Sequence, residues 1–172
     1  MTAQLDRTAE LLNDDEIRIV TLDFKRILLP TDGSAASLEA MDVAMGMAKR
    51  FGAGIIALFV DPSHVMAPME EMMEEESEGV HRSKAGLAVA GRSGTKNGVN
   101  VTEVVKEGAV TAGILETLRE YKCDAIVIGS TGRTGVKRLM LGSIAESTLR
   151  EAHVPVFVVP RGSTPFCISA RG

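Results

Sequence analysis

The chain lacks most of the features that mark secreted proteins and nucleic-acid binders. Only two of its 172 residues are cysteine, so a secreted fold built on disulfide bonds is excluded. It contains no tryptophan and a single tyrosine, which argues against aromatic platforms that stack single-stranded nucleic acid. The net charge of −4 likewise disfavours a globally basic nucleic-acid binder.

Long apolar runs and targeting signals are also missing. No run approaches the roughly 18 apolar residues that a membrane-spanning helix needs. The opening MTAQLDRTAELLNDDE has neither the basic nor the apolar segment of a signal peptide. With 45% hydrophobic and 24% charged residues, the composition is that of an ordinary globular protein of about one domain. We therefore expect a cytoplasmic protein that binds neither membranes nor nucleic acid.

Short apolar runs punctuate the chain. They are rich in β-branched residues and end in proline, glycine or a charged residue, as strands do. Several are almost continuously apolar, which is typical of strands buried on both faces of a parallel sheet. The predicted strands are Lys25–Pro30, Gly54–Val60, Val99–Lys106, Asp124–Gly129 and Val154–Pro160.

Amphipathic stretches lie between these runs and predict helices over Ser37–Phe51, Thr111–Tyr121 and Ser143–Ala152. A longer and weaker helix is expected within Pro68–Lys96, where glycines recur. The alternation predicts an α/β fold: an open five-stranded parallel sheet with helices on both faces, a Rossmann-like sandwich. Ligands of such folds bind beyond the carboxyl ends of the strands, where the strand order reverses.

The segment Gly129–Ser147, GSTGRTGVKRLMLGSIAES, carries the strongest chemical signal. It follows a strand and leads into a helix, and its glycines allow close backbone approach to a ligand. Ser143 opens the helix, whose free N–H groups favour an anion. Before Ser143 its only charges are positive, from Arg133, Lys137 and Arg138. These features suit a polyphosphate. The alternative is an ordinary glycine-rich loop with Ser143 as a plain N-cap.

A second candidate segment, PTDGSAAS at Pro30–Ser37, directly follows the first strand. Asp32 is expected to point into the crevice, where a carboxylate could hold a ribose hydroxyl or a phosphate-bound Mg²⁺. The alternative is that Asp-Gly-Ser forms a turn or a helix cap, which is common for these residues.

Together the two segments resemble the universal stress protein family, in its ATP-binding branch. The spacing Gly-x2-Gly-x9-Gly-Ser, at Gly129, Gly132, Gly142 and Ser143, matches the nucleotide-binding signature of that branch. The stretches ILLPTDGS, CDAIVIGSTG and HVPVFVVP resemble the family too. The resemblance covers about residues 24–160.

The resemblance implies a three-part chain and a dimer. Residues 23–160 would form the family domain, 1–22 an N-terminal extension, and 161–172 a flexible C-terminal tail. The last strand, Val156–Val159, resembles the edge that pairs across the family's homodimer. A sheet edge with unpaired peptide groups can template such pairing. The alternative is that residues 1–22 fold back and cover this edge within one subunit.

The resemblance also implies ATP and Mg²⁺ as ligands, with roles for individual residues. Pro30 and Thr31 would line the adenine pocket, and Val60 would offer backbone groups to the adenine edge. Asp32 would contact the nucleotide and could contact Mg²⁺ through it. Gly129, Gly132 and Arg133 would wrap the ribose and phosphates. Gly142, Ser143 and Ile144 would bind phosphates through their main-chain N–H groups, and the Ser143 hydroxyl would add a contact.

The function implied is a nucleotide-dependent module in stress response or signalling. No catalytic base is apparent, so at most slow ATP hydrolysis or autophosphorylation is expected, with Ser143 or Thr131 as acceptors. One alternative is a dimeric protein-interaction module on the same fold that binds no nucleotide. Another is an adenylate-chemistry enzyme such as an ATP pyrophosphatase, but its SGGxDS-type phosphate loop is absent.

Other conspicuous residues receive a plainer interpretation. Cys123 precedes a buried strand and is expected to act as a small apolar residue. The histidines His64, His81 and His153 lack the spacing of metal ligands, so no structural metal is expected. The acidic run Glu70–Glu78, with nearby methionines, is expected to be solvated, and a flap or partner surface is the alternative.

Overall fold

The computed structural model describes residues 22–62, 73–131 and 141–163, with the backbone alone over 73–83. These residues form five strands and four helices that alternate along the chain, which confirms the predicted α/β fold. Their bounds are β1 Arg26–Pro30, α1 Ala35–Phe51, β2 Gly54–Asp61, α2 Met73–Asn97, β3 Val101–Glu107, α3 Val110–Glu120, β4 Ala125–Gly129, α4 Ser143–Glu151 and β5 Val156–Val159.

Some predicted features lie outside the described residues. They are the first 21 residues of the expected extension, His64, Gly132, Arg133, Lys137, Arg138, the start of the acidic run and the last nine residues of the expected tail. None of the helices in the described ranges combines the length and apolarity that crossing a bilayer requires.

The five described strands form one parallel sheet in the order β3-β2-β1-β4-β5. The chain builds outward from β1 to β3 and then returns to β4 beside β1, so the strand order reverses between β1 and β4. β1 pairs with β2 over its whole length but with β4 only at Ile27↔Ala125 and Leu28↔Ile126. Pro30 has no N–H to donate, which suits the early end of that ladder. A crevice therefore opens at the carboxyl ends of β1 and β4.

Helices cover both faces of the sheet, as predicted. On one face, α1 and α2 pack over a core that includes Ile27, Leu29 and Leu87. On the other, α3 and α4 pack over a core that includes Leu28 and Ile114. Successive residues of β1 alternate between the two cores, because side chains of a strand point to opposite faces.

Capping residues define both ends of α1. Its N-cap is Ser34, whose hydroxyl accepts the N–H of Ser37 at 3.3 Å, so the helix begins at Ala35, two residues before the predicted start. It ends at Gly52, which adopts the left-handed conformation with a φ of 67°, as the sequence predicts for a glycine after a helix.

The glycines of α2 mark where the helix touches the sheet closely. A Cβ built on Gly94 would collide with the side chain of Val101 and lie 2.8 Å from the carbonyl oxygen of Val99. Glycine is a poor helix former, yet here it allows the helix backbone to approach β3. Packing therefore overrides propensity, and α2 extends over 25 residues.

The two sheet edges differ in chemistry. β3 carries Glu103, Lys106 and Glu107, and the Lys106 ammonium lies 2.8 Å from Glu120 and 3.6 Å from Glu116 on α3. Charged side chains of this kind protect an edge from pairing with another chain. β5, at the opposite edge, is wholly apolar.

β5 is also shorter than the predicted Val154–Pro160. Pro155 lies outside the strand itself, although its carbonyl accepts the N–H of Ile126 at 3.0 Å.

Candidate functional site

A cleft of about 420 Å³ opens where the strand order reverses, at the carboxyl ends of β1, β2 and β4. Its volume lies within the range of about 300–1,000 Å³ that is usual for small-molecule sites. The structure brings together around it every predicted site residue that it describes: Pro30, Thr31, Asp32, Val60, Gly129, Gly142, Ser143 and Ile144. Gly132 and Arg133 belong to the same predicted set but lie outside the described residues.

The turn after β1 forms one wall of the cleft. The N–H of Ser34 donates to Oδ1 of Asp32 at 3.0 Å, and Gly33 adopts a left-handed conformation with a φ of 71°. Asp32 thus forms the turn that the alternative interpretation predicts, and it lines the cleft at the same time. The hydroxyl of Thr31 accepts the N–H of Gly33 at 3.3 Å and donates to the Ser37 hydroxyl at 3.2 Å. These bonds fix the turn against the start of α1.

The opposite wall is the start of α4. Gly142 is the N-cap, with φ −68° and ψ 152°, and Ser143 is the first helical residue rather than the cap. The N–H of Gly142, which was expected to face a phosphate, donates instead to the carbonyl of Ser130 at 2.7 Å. The N–H groups of Ser143, Ile144 and Ala145 occupy the first turn, where helix geometry provides no intrahelical acceptor.

Three helix N-termini border the cleft. α1 contributes Ser34 and Ser37, α3 contributes Val110, and α4 contributes Ser143. Helix N-termini carry partial positive charge, and the first turns of α1 and α3 contain no acidic residue. The first turn of α4 contains Glu146, whose carboxylate pairs with the guanidinium of Arg150 at 2.8 Å. This arrangement favours an anionic ligand.

An apolar surface faces this polar region, and sequence reasoning missed most of it. Leu58 and Ile128 come from the sheet, whereas Val110 and Ile114 come from α3. In the sequence these residues look like any other core residues. Their place at the ends of strands and at the start of α3 is the one signal that could have identified them.

The backbone of Val60 is exposed to the cleft by the way β1 ends. In β2 the peptide groups alternate in direction: Gly54 and Leu58 bond to β1 residues, whereas Ile55 bonds to Asn100 beside β3. Val60 follows this alternation and directs its N–H and C=O to the β1 side. The last bond on that side among the described residues runs from the Thr31 N–H to the Leu58 carbonyl, at 2.8 Å. Val60 lies beyond it.

Gly113 leaves room for the side chain of Val60 to pack directly against α3. A Cβ built on Gly113 would lie 2.8 Å from Cγ2 of Val60, so α3 packs directly on this residue. The contact fixes the end of β2 relative to Val110 and Ile114, which line the cleft from the same helix.

Protein groups alone do not suggest a metal centre. Within the described ranges, no group of three or more histidine, cysteine, aspartate or glutamate side chains could hold a metal ion. Mg²⁺ usually binds through one or two carboxylates together with substrate phosphates, and Asp32 fits that pattern. Cys123 is buried as expected, away from the cleft lining, and burial raises the pKa of its thiol to about 11.

Comparison with known proteins identifies the family. The model of the universal stress protein family matches residues 23–160. The chain belongs to the universal stress protein family. A universal stress protein of Methanocaldococcus jannaschii is 38% identical over 141 residues, which cover 80% of this chain and 83% of that protein.

Solved structures of other family members share the fold. A universal stress protein in complex with cAMP has a TM-score of 0.61 at 23% identity, covering 81% of this chain and 99% of its own. A universal stress protein of Archaeoglobus fulgidus in complex with dAMP has a TM-score of 0.58 at 19% identity, covering 80% and 99%. At these identities the likeness shows the α/β fold.

Proposed function

We propose that this family member binds ATP with Mg²⁺ in the cleft and acts in the cytoplasm as a nucleotide-dependent module of stress response or signalling. The observation that carries the proposal is the division of the cleft into two regions. One is apolar and accommodates a flat base, and the other presents helix N-termini to an anion.

The apolar region suits adenine. Leu58, Val110 and Ile114 provide contact area for the ring, and Pro30 closes the pocket from β1. Val60 adds a donor and an acceptor on one residue, which is the pattern that the Watson–Crick edge of adenine requires. Guanine presents the reverse order of donor and acceptor, so the same backbone groups disfavour it.

The polar region suits phosphates. The N–H groups of Ser143, Ile144 and Ala145 would donate to phosphate oxygens, aided by the dipole of α4. We propose that Gly142 contributes through the turn that orients these groups, since its own N–H bonds to Ser130. Mg²⁺ would be held by phosphate oxygens and Asp32, where it neutralises charge.

Relatives support an adenine nucleotide as the ligand class. The solved structures of two family members contain cAMP and dAMP. The choice of ATP as the ligand of this chain rests on the Gly-x2-Gly-x9-Gly-Ser spacing. It rests also on the helix N-termini, whose N–H groups would bind more than one phosphate.

Fast catalysis is not part of the proposal. Among the described residues that line the cleft, Asp32 is the only acid, and there is no histidine or lysine to act as a base. At most slow ATP turnover is expected. The hydroxyls of Thr131 and Ser143 line the cleft and are the candidate acceptors for autophosphorylation.

We also propose a homodimer formed by β5. Three of its four residues, Val156, Phe157 and Val158, are only half-buried although they are apolar. Antiparallel pairing of two copies about a two-fold axis would satisfy the edge peptide groups and bury these side chains. The charged β3 edge offers no such surface.

Calorimetric titration and thermal melting test the proposed ligand. ATP with Mg²⁺ should bind and raise the melting temperature, because a ligand of the folded state stabilises it by mass action. Adenosine should bind more weakly, tripolyphosphate should compete, and GTP should bind less well than ATP. If millimolar ATP gives no titration signal and no thermal shift, the nucleotide-independent interaction module is supported instead.

A further inference from the structure

The long helix α2 touches the turn of the proposed nucleotide site at a glycine. Gly86 is buried, and a Cβ built on it would lie 3.0 Å from Oγ1 of Thr31, 3.2 Å from Cα of Gly33 and 3.3 Å from the Gly33 nitrogen. These separations are tighter than side chains normally tolerate. α2 and the turn therefore set each other's position.

The atoms in this contact are the atoms that hold the turn. Oγ1 of Thr31 accepts the Gly33 N–H and donates to Ser37, and the next residue, Ser34, donates its N–H to Asp32. A displacement of Thr31 or Gly33 must therefore be passed to Asp32. All of these residues except Gly33 line the cleft.

Other glycines of α2 have different neighbours. A Cβ on Gly91 would meet the carboxylate of Glu103, the far end of a flexible side chain. A Cβ on Gly94 would meet Val101 and the Val99 carbonyl, at the far end of the helix from the cleft. The contact of Gly86 is thus distinct from general packing of α2 on β3.

We infer that Gly86 is a positioning residue for the nucleotide site, acting through the turn at Thr31–Gly33. The inference rests on the proposed function and adds a regulatory link to it. Because the contact is mutual, a nucleotide that fixes the turn also fixes α2, and a shift of α2 changes nucleotide affinity. Because Gly86 has no side chain, the turn can stay in the position in which Asp32 and Thr31 face the ligand.

Gly86→Ala and Gly86→Val test this in the full chain. The added methyl must push the turn by a few tenths of an ångström, so we expect about tenfold weaker ATP binding for Ala and a larger loss for Val. Gly46→Ala, on α1 with nothing within 4 Å of the added Cβ, is the matched control. Gly94→Ala should lower the melting temperature yet leave ATP affinity unchanged.

An amide NMR spectrum without ligand separates positioning from general stability. Gly86→Ala should shift the Gly33 and Ser34 resonances, whereas Gly94→Ala and Gly46→Ala should not. If wild type binds ATP, an unchanged affinity in both Gly86 variants overturns the inference and leaves the proposed function intact. If wild type does not bind ATP, the proposed function fails, whatever happens to the Gly33 resonance.

Hydrogen exchange on wild type provides a test that needs no variant. ATP should slow exchange of the α2 amides over residues 84–90 more than over 94–97, because only the first range lies beside the turn. If ATP slows exchange equally in both ranges, or in neither, the link between α2 and the site is contradicted.

Discussion

Gly129, the last residue of β4, lies against Ala36 in the first turn of α1. A Cβ built on Gly129 would come within 2.8 Å of both the carbonyl carbon and the carbonyl oxygen of Ala36. The contact draws the start of α1 onto the end of β4 and so brings two walls of the cleft together. Glycine is required here for space, since no backbone φ in the positive range is involved.

Gly129→Ala should therefore destabilise the fold. The added methyl must displace backbone atoms, and overpacking of this kind costs about 1–3 kcal/mol. Urea unfolding of the variant, compared with Gly46→Ala on the open side of α1, measures the loss. Equal stability of the two variants would show that α1 can move away from β4 freely.

Ser143→Pro should weaken ATP binding without harming α4. Proline is favoured at the first helical position, and the extended conformation of Gly142 suits a residue before proline. The change removes one N–H, and a hydrogen bond to a charged group contributes about 1.5–3 kcal/mol, or roughly ten- to a hundredfold in affinity. Calorimetric titration of ATP measures it.

Ser143→Ala is the control for that variant, because it removes the hydroxyl and keeps the N–H. It should reduce ATP affinity less than proline does. A larger loss in the alanine variant would assign the phosphate contact to the side chain.

Val158→Lys should dissociate the proposed dimer. A lysine in the middle of β5 places charge within the surface that pairing would bury, which natural edges use to prevent association. Val105→Lys makes the same change on the exposed β3 edge and should leave the dimer intact. Light scattering gives the mass of each variant, and a monomeric wild type would refute the dimer.

Much of the fold follows from the sequence because its inner strands β1, β2 and β4 are short, apolar and largely buried. The predicted Asp124–Gly129 differs from β4 by one residue, since Asp124 uses its carboxylate to accept the N–H groups of Lys25 and Arg26. The candidate site segments were predictable because they follow β1 and β4 directly and because an ordinary turn does not require the Gly-x2-Gly-x9-Gly-Ser spacing.

The apolar half of the cleft could not be predicted in this way. Val110 and Ile114 look like core residues of an amphipathic helix, and they reach the cleft through the crossover from β3 to β4. The extent of α2 was equally inaccessible, because Gly86 and Gly94 lower helix propensity. The close contacts that these glycines allow, with Thr31 and Gly33 and with Val99 and Val101, appear only once α2 packs on the sheet.

Alkaline pH should reduce stability through Cys123. Burial raises the pKa of its thiol from 9.0 to about 11, so the unfolded chain ionises this thiol at lower pH than the folded chain does. The contribution to the free energy of unfolding is complete below pH 9 and is lost as pH rises toward 11. Urea unfolding across this range measures it.

Cys123→Ala separates the contribution of Cys123 from that of Lys106, which also lowers stability as pH rises. The hydrogen bond to Glu120 raises the pKa of Lys106, so its stabilising effect is also lost at high pH. The alanine variant should show a shallower decline than wild type, and parallel curves would contradict the assignment to Cys123.

Thr148→Val should stabilise the protein. The Thr148 hydroxyl is fully buried in α4 and has no hydrogen-bond partner among the described residues. An apolar group of the same shape removes that desolvation cost of about 1–3 kcal/mol. Thr117→Val is the matched contrast, because the Thr117 hydroxyl donates to the Gly113 carbonyl at 2.7 Å. Opposite shifts in melting temperature are expected, and shifts of the same sign would contradict the prediction.

The neighbouring strands β1 and β4, which meet where the strand order reverses, come from opposite halves of the chain. The backbone N–H of Lys25 meets the carboxylate of Asp124, 99 residues later, at 2.7 Å. The cleft residues of β1 and β2 are therefore synthesised long before those of β4 and α4. A truncated chain that ends before Ser143 lacks one wall of the cleft. A ligand that needs both walls would therefore stabilise only those chains that include α4.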